Sequence, residues 1–225
     1  MRDRYSVPRD RVHVVVPGAN LSPTVYARWE LEREGVEAVG VDGKLRLVMI
    51  TTDWQRKGLD RLLRAIAIGR RQGLQVTLKV IGARREDLPP ELTAQDGIAW
   101  LGRIKKDTQA DADRFLREVA DADIGCIFSR YEAGGAVLRE YHALGLAAFA
   151  TNAGGMSDWF FDDATIAVPP DASDDQLASA LVALGKDHDR VARLKAAAWR
   201  RRREALWPST VERLRAVIDP CVDTP

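Results

Sequence analysis

Two cysteines in 225 residues, Cys126 and Cys221, are too few for a disulfide framework or a cysteine-based metal site. No apolar run approaches the roughly 20 residues that cross a bilayer. The first residues, Met1-Arg2-Asp3-Arg4-Tyr5, lack the apolar segment of a signal peptide. A reducing, cytoplasmic location is the expectation. Charge of one sign is also lacking: the formal net charge of +1 offers nucleic acid or an anionic membrane no electrostatic attraction. His13, His142 and His188 are scattered without ligand spacing, so no metal is expected. A Gly-x-Gly-x-x-Gly turn after the first strand and a Gly-Lys-Ser/Thr phosphate loop are both missing, which argues against dinucleotide oxidoreductases and nucleoside triphosphatases. Arg200 to Arg203 form a basic run, but without interleaved aromatics it reads as a solvated helix face.

What is present is ample material for a core, with 46% hydrophobic and 30% charged residues. Apolar runs that read as strands occur at Val12–Val16, Leu45–Ile50, Val76–Ile81, Ile98–Gly102, Ile124–Phe128, Ala147–Ala150 and Thr165–Val168. Between and after them lie helical patterns: from Leu59 (Leu62, Leu63 and Ile66 inside), over 107–120, from Ala136, then over 174–184, 188–206 and 208–218. Residues 22–36 read as an irregular or short helical connection. Strands alternating with helices predict an α/β fold, a single doubly wound, Rossmann-like domain with a mostly parallel six-stranded sheet.

The stretch from Cys126 to Trp159 carries the chemistry. It reads as strand, glycine turn and helix, twice over, with the pairs Gly134-Gly135 and Gly154-Gly155 at the turns. In a parallel sheet this puts two helix N-termini at the carboxyl edge, where free N–H groups and the helix dipole attract a phosphate. Two carboxylates flank the first of them, Glu132 in the loop and Glu140 in the helix. Glu140 has Ala136 and Ala143 as helical neighbours, so it either points into a polar cleft or needs a partner. On spacing alone, two solvated glutamates is the weightier reading. Arg56 and Lys57 stand before another helix at a strand's carboxyl end, where the helix dipole mildly disfavours cations and a diphosphate would welcome them. Lys105-Lys106 reads as a solvated turn.

These motifs resemble the donor site of retaining glycosyltransferases of family 4. The likeness lies in Ser129-Arg130-Tyr131-Glu132-Ala133-Gly134-Gly135, Glu140-Tyr141, Gly145-Leu146-Ala147-Ala148 and Gly154-Gly155, with Trp54-x-Arg56-Lys57-Gly58 upstream and Gly18-Ala19-Asn20 near the start. Departures are Ala133 and Gly134 for the usual Gly-Phe, Tyr141 for alanine, Ala147 for proline, and Thr52 for an arginine five residues before the lysine.

The resemblance covers about 12–218 and implies the C-terminal, nucleotide-sugar half of a GT-B enzyme. It implies hexosyl transfer from a nucleoside-diphosphate sugar to a glycan or lipid-linked glycan, as in polysaccharide biosynthesis, with retention and no obligatory metal or other cofactor. Glu132 and Lys57 would be catalytic. Arg56, Gly135, Ala136, Val137, Glu140 and Gly18 would bind the donor, Glu140 at the ribose and Gly18 where the two halves of the enzyme join. All of 1–225 would form one donor domain, with 207–225 a terminal helix and tail packing on an N-terminal domain or partner chain not contained here. Alone the chain would be inactive, and any peripheral membrane contact would come through that other half. The competing expectation is a non-catalytic α/β domain that binds a nucleotide or a protein.

Overall fold

The computed structural model describes residue 8, residues 11–33 and residues 43–222, with side chains to residue 219. Cys221 therefore has no described side chain, and 223–225 of the expected tail lie outside the described residues. Six strands form one sheet: β1 (Leu45–Thr51), β2 (Val76–Gly82), β3 (Ile98–Gly102), β4 (Ile124–Ile127), β5 (Ala147–Thr151) and β6 (Thr165–Val168). Their order is β3-β2-β1-β4-β5-β6, and every pairing is parallel. The α/β doubly wound expectation holds, and "mostly parallel" becomes wholly parallel.

Helices cover both faces, as a parallel sheet requires. On one face lie α1 (Pro23–Glu32), α3 (Gln109–Ala120), α4 (Ala136–Ala143) and the end of α6 (His188–Arg201); on the other lie α2 (Leu59–Arg71) and α5 (Asp174–Lys186). A final helix, α7 (Trp207–Val222), follows a turn of 3-10 helix over Arg202–Ala205. Leu59, Leu62, Leu63 and Ile66 recur at helical spacing on α2 and are fully buried against β1 and α5. At the amino edge of the sheet, Asp123 is fully buried and held by Arg46 (2.9 Å) and Lys195 (2.7 Å), so its charge is compensated in place.

Three expectations are corrected. Val12–Val16 forms no strand, because both edges of β1 are already taken by β2 and β4. The run lies instead along α7, where the Val16 carbonyl accepts from Thr210 Oγ1 at 3.0 Å. Of the two readings of 22–36, the short helical one holds: a helix runs to Glu32, opened by Pro23 at a position that needs no N–H donor, and it buries Val25, Tyr26 and Trp29. The helix expected after Gly154-Gly155 is a single 3-10 turn, Met156–Trp159. The arginine run is a solvated face only in part: Arg200 and Arg203 are exposed, yet three of the four arginines are paired. Arg201 pairs with Asp163 at 2.8 Å and lies over Phe161, while Arg202 and Arg203 both grip Glu30 of α1 at 2.8 and 3.0 Å.

Candidate functional site

The chain leaves β1 toward β2 and β3 on one side and returns to β4, β5 and β6 on the other. β1 and β4 are thus neighbours at the point where the winding reverses, the place where open α/β sheets form a crevice at their carboxyl ends. Their pairing covers only Leu47 with Ile124 and Val48 with Gly125. Beyond it the two chains are bridged by other means. Tyr141 of α4, fully buried, reaches between them so that its hydroxyl accepts from Ile50 N at 3.0 Å. Its ring lies over Gly125, where a Cβ would come within 2.2 Å of it. The departure from alanine at this position is therefore structural, and Gly125 makes room for it.

The loops that follow β1 and β4 then come together. Phe128 N donates to Lys57 O at 3.2 Å and Arg130 N to Arg56 O at 2.8 Å. Gly58 ends the Trp54–Lys57 turn with φ 75°, and a Cβ there would meet Phe128 O at 2.2 Å. Asp53 caps this turn by accepting from Arg56 N at 3.1 Å, a bond that holds its own carboxyl below the usual aspartate range. Arg130 locks the other loop through paired bonds to Asp60, at 2.9 and 2.8 Å.

This backbone pairing brings Lys57 to Glu132. Lys57 Nζ donates to Glu132 Oε2, which also accepts from Ser129 Oγ at 3.2 Å and lies 3.4 Å from Arg56 Nη1. The Glu132 side chain is only 8% exposed, so the reading of a solvated glutamate fails. From behind, the second glycine turn supports the same loop: Gly155 N donates to Glu132 O at 3.3 Å, and a Cβ on Gly154 would stand 2.2 Å from that oxygen. Gly154-Gly155 is thus a brace for Glu132, and the phosphate site expected there is not supported by so short a turn.

Gly135 sits at the N-cap of α4, and no side chain caps the helix. Ala136 and Val137 occupy its first turn, at least partly exposed, so the expected anion-binding N–H groups lie beside Glu132. Glu140 is on the same helix, 5% exposed, with Oε1 accepting from Lys106 Nζ at 2.6 Å. Burial pushes its carboxyl above the usual glutamate range, against the pull of Lys106. Lys106 also donates to Asn20 O at 2.8 Å and stands 4.5 Å from the Phe115 ring centre. The solvated-turn reading of Lys106 is therefore corrected. Sequence alone gave no signal for it, because the partner is 34 residues away on another element.

Gly18 stands apart from the other candidates. It is pressed against the start of α7, where a Cβ would fall 2.3 Å from Trp207 N. Its neighbour Ala19 donates to Ala205 O at 2.8 Å. Only Asn20, through Lys106, ties this segment to Glu140. Among the described residues no group of histidine, cysteine or carboxylate side chains has a metal-holding arrangement, and no helix is long and apolar enough to cross a membrane. A cavity of about 500 Å³ opens on the outer flank of the Trp54–Lys57 turn, with Asp60, Arg64 and Arg130 in its wall. Asp60, Arg64 and Arg130 in its wall are bonded to one another or to Asp174, so they serve as bracing for the site.

The chain is 29% identical over 223 residues to a D-inositol 3-phosphate glycosyltransferase of Nocardia farcinica, covering 93% of this chain and 48% of that protein. The sucrose-phosphate synthase of Thermosynechococcus elongatus superposes with a TM-score of 0.68 at 20% identity, over 98% of this chain and 55% of that one. Anabaena Alr3699/HepE, solved in complex with UDP-glucose, superposes at 0.60 with 17% identity, over 90% and 54%. The two structures show a shared fold. This chain spans about half the length of the relatives it matches. Residues 37–201 match the family of glycosyl transferases group 1, and the chain belongs to it.

Proposed function

We propose that this chain is the donor-binding half of a retaining glycosyltransferase that takes a sugar from a nucleoside diphosphate to a glycan or lipid-linked acceptor. One observation carries the reading: Lys57 and Glu132, 75 residues apart, meet at the β1–β4 crevice beside the uncapped start of α4. A departing diphosphate develops charge, and Lys57 with Arg56 would neutralise it by side chains, so no metal is assigned a role. The first N–H groups of α4, at Gly135, Ala136 and Val137, would face the phosphate or the sugar. Glu140 would accept from the ribose hydroxyls, and Glu132 would lie against the donor sugar. Lys57 and Glu132 pair with each other; a diphosphate would draw the ammonium to itself and leave the carboxylate to the sugar.

The exposed apolar stripe of α7 supports the second half of the proposal. Trp207, Val211, Leu214 and Ile218 are 53%, 43%, 43% and 46% exposed at helical spacing. We assign this stripe to contact with a further domain that supplies the acceptor site. The rival reading is a non-catalytic α/β domain that binds a nucleotide or a protein.

Calorimetric titration of UDP, GDP and uridine, with and without EDTA, tests the site. Lys57→Ala should weaken UDP much more than uridine, because only the diphosphate makes the charge-assisted contact. Glu140→Ala should weaken both alike, by roughly 1.5–3 kcal/mol. No binding of either diphosphate by the folded chain would sink the donor-site reading. Strict dependence on a divalent ion would overturn only the metal-free part.

A further inference from the structure

We infer that Lys106 is a positioning residue for the nucleoside end of the donor, clamping Glu140 by Oε1 and tying it to Asn20 so that Oε2 is left to accept from the ribose hydroxyls. The inference rests on the ribose role proposed for Glu140. Its own support is geometric. Lys106 Nζ spends one proton on Glu140 Oε1 (2.6 Å) and another on Asn20 O (2.8 Å), while Phe115 underlies it at 4.5 Å. An ammonium carries three donors and no acceptor, so two fixed bonds and an aromatic face set its position closely. Glu140 Oε2 takes no hydrogen bond from a described residue. The clamp therefore consumes one carboxylate oxygen and leaves the other free to accept from a ribose hydroxyl.

Charge gives the clamp a second consequence. Among the described residues Lys106 is the one charged group that acts on the Glu140 carboxyl, which is buried. Without that ammonium, burial acts on the carboxyl unopposed, and Glu140 takes up its proton at a higher pH. A protonated Glu140 is a poorer acceptor for a diol. The same pairing occurs at Lys57 and Glu132, so each glutamate of the site is held by a lysine from a different strand-end loop.

The test uses Lys106→Met, Lys106→Gln and Lys106→Arg in the full chain. Uridine and UDP are titrated from pH 5 to 8, and the Glu140 carboxyl is followed by carbon NMR without ligand. Lys106→Met is expected to weaken uridine and UDP by the same factor, on the order of ten-fold. It should also raise the pH at which Glu140 titrates, so that affinity falls away at a higher pH than in the wild type. Lys106→Gln should behave alike and serves if the methionine variant folds poorly; Lys106→Arg should restore both readouts. Unchanged uridine affinity together with an unmoved Glu140 titration would overturn the inference. Loss confined to UDP would also overturn it, making Lys106 a phosphate ligand. Glu140→Gln separates the two levels. If that variant binds uridine like the wild type, the ribose reading itself fails; if it binds weakly and Lys106→Met does not, only the clamp fails.

Discussion

His142, like Tyr141 beside it on α4, spends its chemistry entirely on the fold. It is fully buried, stacked on Phe161 with ring centres 4.4 Å apart, and its Nε2 lies 3.1 Å from Thr165 Oγ1. Burial pushes its pKa down to about 3. A histidine that resists protonation when folded gives a stability that is complete above its unfolded value near 6.5 and is lost as pH falls toward 3. Unfolding measured by urea at pH 7, 6 and 5 should show this loss, limited to about 1.4 kcal/mol per pH unit. Buried Asp60 and Asp123 have lowered values and act only at more acid pH, below the ordinary carboxylate range. Glu140, raised by burial, works in the opposite sense, its contribution being lost as pH rises. His142→Phe should therefore flatten the slope between pH 5 and 6.5, whatever its effect at pH 7. An unchanged slope in that variant would show that another group carries it.

At the scale of elements, the contact between α4 and β4 decides where the site stands. Tyr141 and Gly125 fill one another's space, and the tyrosine hydroxyl bonds the Ile50 N–H. Gly125→Ala puts a methyl into the ring and should cost ~1–3 kcal/mol or more. Tyr141→Ala empties the space and should cost about 3–5 kcal/mol. Paired in one chain, the two changes should cost less than their sum by at least about 1 kcal/mol, since the small side chain relieves the clash. Strict additivity in such a double-mutant cycle would mean that the two residues do not share this space. The same contact explains why Glu140 is legible as a candidate while its surroundings are not: its spacing to Glu132 is local, but its burial depends on how α4 is seated.

For the whole molecule, the question is what the α7 stripe does in a chain half as long as its relatives. Surface substitutions that touch no partner usually change stability by less than about 0.5 kcal/mol. Val211→Lys and Leu214→Lys should each fall in that range by urea unfolding, because both side chains lie on the exposed stripe rather than in the core. A much larger loss would make the stripe part of this domain's own core. The purified chain should bind UDP yet transfer no sugar to any acceptor offered, because closure of two domains normally excludes water from the reacting centre. Robust transfer by the chain alone would overturn the division into donor and acceptor halves.

The six strands of the sheet and the glycine turns were legible in the sequence, because each rests on local chemistry, an apolar run or a turn residue; Glu132 stood out only through the family resemblance, since spacing alone favoured a solvated carboxylate. The sequence likewise determined that the sheet would be parallel, since strands alternating with helices leave little other choice. Tertiary structure alone decided who meets whom. Val12–Val16 has the composition of a strand but finds no open edge on β1. Arg202 and Arg203 look solvated until α1 brings Glu30 to them from 172 and 173 residues away. Lys106 looks like a turn residue until β3 delivers it to Glu140. In each case the deciding quantity is which edges, faces and charges remain unpaired after the sheet has formed, and only the assembled fold sets that.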